Sequence, residues 1–318
     1  MKKKSFILIA LIAIISCAII FSLQYNNVIN KKIHYSKEFE VKKGDSAKKI
    51  FSQFKYGDSI FFKIFLKTKN NGKNIKAGYY ELKGNYSLKD IMKILDEGLV
   101  KSYKFTIIEG QPVQNVIDKL SSENKIDKEK FLAELKNINF PYPTPNNNFE
   151  GYFYPETYII PEKSTEKYII NLFLNEFLKK FPPEQYANKE DFYQKLILAS
   201  IIEREAYLSS EKPIMASVFY NRLKKGMKLA ADSTVNYVFN YSKKRIFYRD
   251  LEVDSPYNTY KNFGLPPAPI CNPTKESVDA VYNPSQTDYL FFVAKGDGSH
   301  FFSKTYKEHL DFQKNNKK

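Results

Sequence analysis

From Phe6 to Leu23 the chain runs eighteen residues without a charge, rich in Ile, Leu, Phe and Ala. As a helix, that run is long enough to cross a bilayer, so it removes the N-terminus from any soluble fold. Met1-Lys2-Lys3-Lys4 precedes it and the polar Gln24-Tyr25-Asn26-Asn27 follows, which places the N-terminus in the cytoplasm and everything from about residue 27 outside it by the positive-inside rule. A cleaved signal peptide is the competing reading, but the run exceeds a typical signal core and no small-x-small site follows. Ile14-Ile15-Ser16-Cys17 loosely resembles a lipoprotein cleavage box. Cutting there would leave the apolar Ala18 to Phe21 beside the lipidated cysteine.

About 290 residues remain, enough for two domains with cores of their own. Cys17 and Cys271 are the only cysteines and Cys17 lies in the span, so packing rather than disulfides must hold the soluble part together. A net charge of +15 would suit nucleic acid in a cytoplasmic protein. Outside the cytoplasm the polyanions are phospholipid head groups and the cell wall. With twenty-four Tyr, twenty-six Phe and no Trp, any sugar-stacking surface must be built from Tyr and Phe.

The pattern predicts an α+β fold. A short strand at Phe39-Glu40-Val41 turns into a helix capped by Asp45 or Ser46. A second helix follows from about Asp58 to Lys67, then a strand at Gly78–Leu82 and a helix from Ser87 stopped at Gly98. Strand, two helices and strand make a small α+β module. Lys101 to Ile108 reads as a strand and Gln111 to Leu120 as a helix with Pro112 in its first turn. Pro141 to Asn148 is the strongest breaker cluster. The chain thus divides into a tail (1–4), a membrane anchor (5–25), a first domain (33–145), a second domain (146–312) and a solvated basic tail (313–318), lysine-rich from Lys314. The aromatics of Phe149 to Tyr158 are either core or a carbohydrate-binding edge. Helices at Glu166–Lys179, Asn188–Ser209 and Glu211–Lys225 lead into loops. Tyr289–Ala294 and His300-Phe301-Phe302 then form a β-hairpin turned at Gly296–Ser299.

Glu203 lies where the Asn188–Ser209 helix is otherwise apolar. At 100° per residue Phe192, Leu196, Ala199, Ala206 and Tyr207 share its side. Desolvation there would push the carboxyl above its ordinary pKa, and an acid protonated near neutrality is what cleaving a glycosidic bond requires. Alternatively, Glu203 ends the apolar run and points to water, or forms a structural ion pair with Arg or Lys. Glu205 lies roughly 200° around, over Leu198 and Ile201, so periodicity does not choose between the two acids.

Five segments in order resemble the MltG (YceG-like) family of endolytic murein transglycosylases. They are Glu150-Gly151-Tyr152-Phe153-Tyr154-Pro155-Glu156-Thr157-Tyr158, Ala199-Ser200-Ile201-Ile202-Glu203-Arg204-Glu205, Ala216 to Leu223, Tyr257 to Tyr260 with Gly264 to Pro267, and Phe292-Val293-Ala294 before His300-Phe301. The resemblance covers the whole chain. It implies a LysM-like module in the first domain and a mixed helical and β catalytic domain in the second, anchored as a single pass in the cell inner membrane. It also implies cleavage of the MurNAc-GlcNAc β-1,4 bond in nascent peptidoglycan strands to leave 1,6-anhydromuramoyl ends, and it selects Glu203 over Glu205 as acid/base.

One acid suffices for that reaction, since the attacking 6-hydroxyl belongs to the substrate. Asp232, Thr234, Asn258 and Tyr260 are the candidate sugar contacts. Glu150 is a sugar ligand, a tuner of Glu203 or a cap of the segment after it. The chain departs from the family's Leu-Gln-(Ser/Thr)-Asp-Pro-Thr-Val, carrying Ala230 for the Gln and Ser233 for the Pro.

No cofactor or metal is expected, because His34, His300 and His309 lack ligand spacing. Ser46-Ala47-Lys48-Lys49 lacks the partner motifs of acyl-enzyme chemistry. Glycan strands and the membrane are the expected partners, with peptidoglycan synthases as further candidates and no nucleic acid. The main alternative is a non-catalytic, membrane-anchored peptidoglycan-binding scaffold for those synthases. A hydrolytic or exo-acting wall glycosidase is a third reading.

Overall fold

Ser46, Ser59 and Ser87 each close an extended stretch by capping a helix, their hydroxyls accepting a backbone N–H three residues on. These caps organise the first part of a computed structural model that describes residues 2–54, 59–69 and 72–315. Its residues gather into two units, Met1–Tyr103 with Ile159–Lys163, and Lys104–Tyr158 with Ser164–Lys318.

In the first unit, helix α1 (Lys2–Asn30) precedes strand β1 (Ile33–Val41), helices α2 (Ala47–Phe51) and α3 (Ile60–Thr68), strand β2 (Gly78–Tyr86) and helix α4 (Leu88–Glu97). Within α1, Phe6–Asn30 is long and apolar enough to cross a membrane. β1 and β2 pair antiparallel from Ile33 opposite Tyr86 to Val41 opposite Gly78, both longer than the sequence pattern suggested. Alternation turns Tyr35, Phe39 and Val41 inward, where they meet Phe51, Phe54, Phe62, Ile91 and Leu95. The predicted helix start at Asp58 lies outside the described residues. α4 has a full capping box, Ser87 with Asp90, and ends at Gly98 in the left-handed region (φ 71°).

Strands β3 (Ser102–Thr106) and β4 (Thr157–Pro161) form a second two-stranded sheet. The second unit continues with α5 (Val113–Ser122), α6 (Lys128–Lys136), α7 (Glu166–Lys180), α8 (Lys189–Glu205), α9 (Lys212–Lys224), α10 (Asp232–Val238), α11 (Lys275–Tyr282), the hairpin β5 (Phe291–Ala294) and β6 (His300–Ser303), and α12 (Tyr306–Asn315). α8 is apolar around most of its circumference, from Phe192 to Ile202. It is therefore the core helix, packed by α9, α10 and α11.

The aromatics around Phe149 are core, not a binding edge: Phe149, Tyr152 and Phe153 are buried. The Pro-rich segment beside them is pinned rather than a linker. The Tyr142 hydroxyl donates to the Phe181 carbonyl at 2.8 Å, and the Tyr152 hydroxyl to the Pro143 carbonyl at 2.6 Å. The division between units accordingly falls at residues 103/104 and not near 145.

Candidate active site

α8 stops at Glu205. Ala206 is already extended (φ −92°, ψ 111°), its N–H closing onto the Ile202 carbonyl, and a 3-10 turn at Ser209–Glu211 leads into α9. The expected helix to Ser209 therefore overruns, so Ala206 and Tyr207 do not extend the face of Glu203. Pro213, in the first turn of α9, is the sequence signal that a new helix starts there.

The two acids at this end have opposite surroundings. The Glu203 side chain is 5% exposed and fully engaged. Its carboxylate accepts from the Thr274 N–H at 2.8 Å, the Thr274 hydroxyl at 2.6 Å and the Ser277 hydroxyl at 2.7 Å. The Lys212 ammonium lies 3.3 Å from both of its oxygens and also donates to the Thr274 hydroxyl at 3.1 Å. Thr274 is the N-cap of α11, so the carboxylate also lies at the positive end of a helix. Burial works against its charge, but the Ser277 and Thr274 hydrogen bonds and the Lys212 charge outweigh it and hold the carboxyl below its ordinary pKa. The expectation of a raised pKa in an apolar pocket is thus overturned: a polar cage, with an ion pair inside it, surrounds the acid.

Glu205 opens onto a cavity of about 450 Å³ shared with Asp232, Tyr260, Arg222 and the rings of Phe291 and Phe292, a size usual for ligand sites. Burial, and then the charge of Asp232, push its carboxyl up, against hydrogen bonds from Ser233 and the nearby His300. The Ser233 N–H donates to it at 3.2 Å. The Tyr260 hydroxyl donates to Asp232 at 2.5 Å. Arg222 is buried and spends its guanidinium on the carbonyls of Leu290 and Leu229, with the Phe291 ring 5.5 Å away. His300 lines the same cavity, with Nδ1 2.7 Å from Glu211. Ala230, at another point of the wall, holds a left-handed backbone (φ 45°) that few residues other than Gly adopt.

Of the other predicted contacts, only Asp232 and Tyr260 reach this cavity. Thr234 is fully buried, donating to the Ala231 carbonyl at 2.7 Å and sharing a hydrogen bond with Thr259 at 2.9 Å. Asn258 is also fully buried, its amide donating to the carbonyls of Leu251 and Val253, both at 2.8 Å, and its oxygen accepting from the Tyr260 N–H. Both spend their side chains on fastening the loops behind the site.

Glu150, 4% exposed, accepts from the Val113 N–H at 2.9 Å and the Tyr237 hydroxyl at 3.3 Å. It caps α5, whose own N-cap, Pro112, has no side-chain bond to give. Burial raises its pKa to about 7. Among the described residues no group of three or more His, Cys, Asp or Glu is placed to hold a metal ion. Arg222, Tyr306 and His309 also line the cavity, and no local motif in the sequence marks them for it.

A family model described as YceG-like family matches residues 39–315. The chain is 35% identical to an endolytic murein transglycosylase of Bacillus subtilis (strain 168), over 93% of this chain and 89% of that protein. It is 29% identical to an endolytic murein transglycosylase of Streptococcus pneumoniae serotype 2, over 79% of this chain and 52% of that longer protein. The crystal structure of a yceG-like protein from Listeria monocytogenes is similar with a TM-score of 0.57 at 33% identity, covering 88% of this chain and 100% of that one. With the match running from the first strand through the last helix, the chain belongs to the YceG-like family.

Proposed function

We propose that this protein is a membrane-anchored endolytic murein transglycosylase that cleaves the MurNAc-GlcNAc β-1,4 bond and leaves 1,6-anhydromuramoyl ends, with Glu205 rather than Glu203 as its acid/base. The observation that carries the choice of acid is the contrast at the end of α8. Glu205 lines the cavity of about 450 Å³ and has its pKa raised, whereas Glu203 is tied up by Thr274, Ser277 and Lys212 and has its pKa lowered. A proton donor must both reach the glycosidic oxygen and carry a proton near neutrality.

In this reading protonated Glu205 gives its proton to the leaving GlcNAc 4-oxygen as the C1–O4 bond breaks. The resulting carboxylate takes the proton of the muramoyl 6-hydroxyl as that oxygen bonds to C1, so no water is added. Burial, and then the charge of Asp232, favour the protonated form of Glu205, and the Tyr260 hydrogen bond fixes Asp232. Glu203 ties the starts of α9 and α11 to α8 and so positions Glu205. α1 is the anchor, with the N-terminus in the cytoplasm, and the β1-α2-α3-β2 order supports a LysM-like glycan-binding module. Peptidoglycan synthases are the proposed protein partners.

The test is mass spectrometry of products released from intact sacculi by the detergent-solubilised full chain and its Glu205→Gln and Glu203→Gln variants. We expect anhydromuramoyl ends from the parent, a loss of at least about a hundredfold with Glu205→Gln, and a smaller loss with Glu203→Gln. The reverse ranking would return the acid/base role to Glu203. Reducing ends would mean hydrolysis, and binding without cleavage would favour the scaffold.

A further inference from the structure

One wall of the Glu205 cavity is built by the last helix, in a part of the chain where the sequence suggested only the approach to a solvated tail. Tyr306, His309 and Gln313 of α12 all line it, at the three- and four-residue spacings that align side chains on one helix face. The Tyr306 and His309 rings are stacked, with centroids 5.9 Å apart and planes 16° from parallel. Phe291 lies against both, at 5.7 Å from Tyr306 and 5.8 Å from His309. α12 itself is seated by Phe312, which stacks on Phe301 at 4.3 Å and 5°. No residue of α12 is buried in a core and Tyr306 is 59% exposed, so part of this aromatic face stays open although the hairpin packs against it.

His309 has a second feature. Its Nδ1 is shielded and has no hydrogen-bond partner among the described residues, although a buried polar atom is normally satisfied. Burial, and then the charge of Arg222, hold the imidazole below its ordinary pKa, so at neutral pH it is uncharged, with one donor and one acceptor nitrogen. One turn on, Gln313 brings a carboxamide, which can donate and accept at once. A neutral imidazole and a carboxamide beside an aromatic platform match an acetamido group on a pyranose ring: the ring stacks, and the amide N–H and C=O find partners.

We propose that α12 forms a sugar subsite of this cavity, in which Tyr306 stacks on the pyranose and His309 and Gln313 recognise its N-acetyl group. The inference rests on the cavity's being the glycan-cleaving site and adds what that site selects. Two neutral β-1,4 tetrasaccharides isolate the acetamido group: chitotetraose carries it on every ring and cellotetraose on none.

Calorimetric titration of the detergent-solubilised full chain with each should give tighter binding of chitotetraose. His309→Ala and Gln313→Ala should each weaken chitotetraose by about tenfold and leave cellotetraose within about twofold, whereas Tyr306→Ala should weaken both. Gln313 is exposed, so its variant keeps the test meaningful if His309→Ala unfolds. Equal affinity of the parent for the two sugars, no binding of either, or equal weakening of both by His309→Ala and Gln313→Ala would overturn the subsite. The same preparations are incubated with sacculi: discrimination without cleavage fails the catalytic reading alone, and cleavage without discrimination fails the subsite alone.

Discussion

Ser233 is where one residue's backbone bears on the acid. Its N–H donates to Glu205, at the second position of α10, where a helix has a free donor to give. The family pattern has Pro there, which has no N–H. A donor to the charged form of a carboxyl lowers its pKa, so this chain's Glu205 is tempered relative to what Pro would allow. Ser233→Pro is conformationally mild, since Pro suits the first turn of a helix. It should raise the Glu205 pKa further, so that the protonated acid persists and the alkaline limb of the cleavage rate moves to higher pH. A pH–rate profile of anhydromuramoyl production that stays in place, or moves to lower pH, would refute the assignment of that limb to Glu205.

Helix ends decide both where the elements sit and what the sequence could disclose. Ser46, Ser87 and Asn188 cap helices where the pattern starts them, and Thr165 caps the helix expected from Glu166, because a cap is a local bond written within four residues. α6, α10 and α11 were not read, being short and stabilised by packing more than by their own periodicity. The Glu203/Glu205 ambiguity was of this kind: the cage around Glu203 comes from Thr274 and Ser277, some seventy positions away.

Glu150 is another long-range cap, serving the start of α5. Its folded pKa of about 7 lies above the model-peptide value. The native state therefore binds its proton more tightly than the unfolded chain does, and the stability this gives is full below about pH 4.5 and lost as pH rises through 7. The loss amounts to about 3 kcal/mol. Glu150→Gln keeps an acceptor for Val113 without the charge. Urea unfolding at pH 5 and pH 8 should show parent stability falling between the two by more than the variant's; parallel behaviour would mean that Glu150 does not titrate in this range.

At the scale of the whole molecule, the division near residue 103 was illegible because Pro141 to Asn148 reads as a linker and behaves as packed loop, clamped by Tyr142 and Tyr152. The long apolar helix was legible because it needs no tertiary information: Phe6–Asn30 is long and apolar enough to cross a membrane, with Ile7, Ile9, Ile14 and Leu23 all more than 60% exposed. Water disfavours such a surface by roughly 25 cal/mol per Å², so it must be covered by lipid or removed. The absence of a small-x-small site after the span favours lipid. The prediction is therefore a full-length chain that stays in the membrane pellet through an alkaline carbonate wash and is released by detergent, with an intact mass that includes α1. A mass shortened by the span, with the protein in the wash, would identify a signal peptide. A mass starting at Cys17 with an added acyl group would identify a lipoprotein, still membrane-bound but held by two or three chains instead of a helix. Among the three outcomes only the first holds the protein at the membrane by its own helix, the arrangement proposed for a chain that acts on strands being made there.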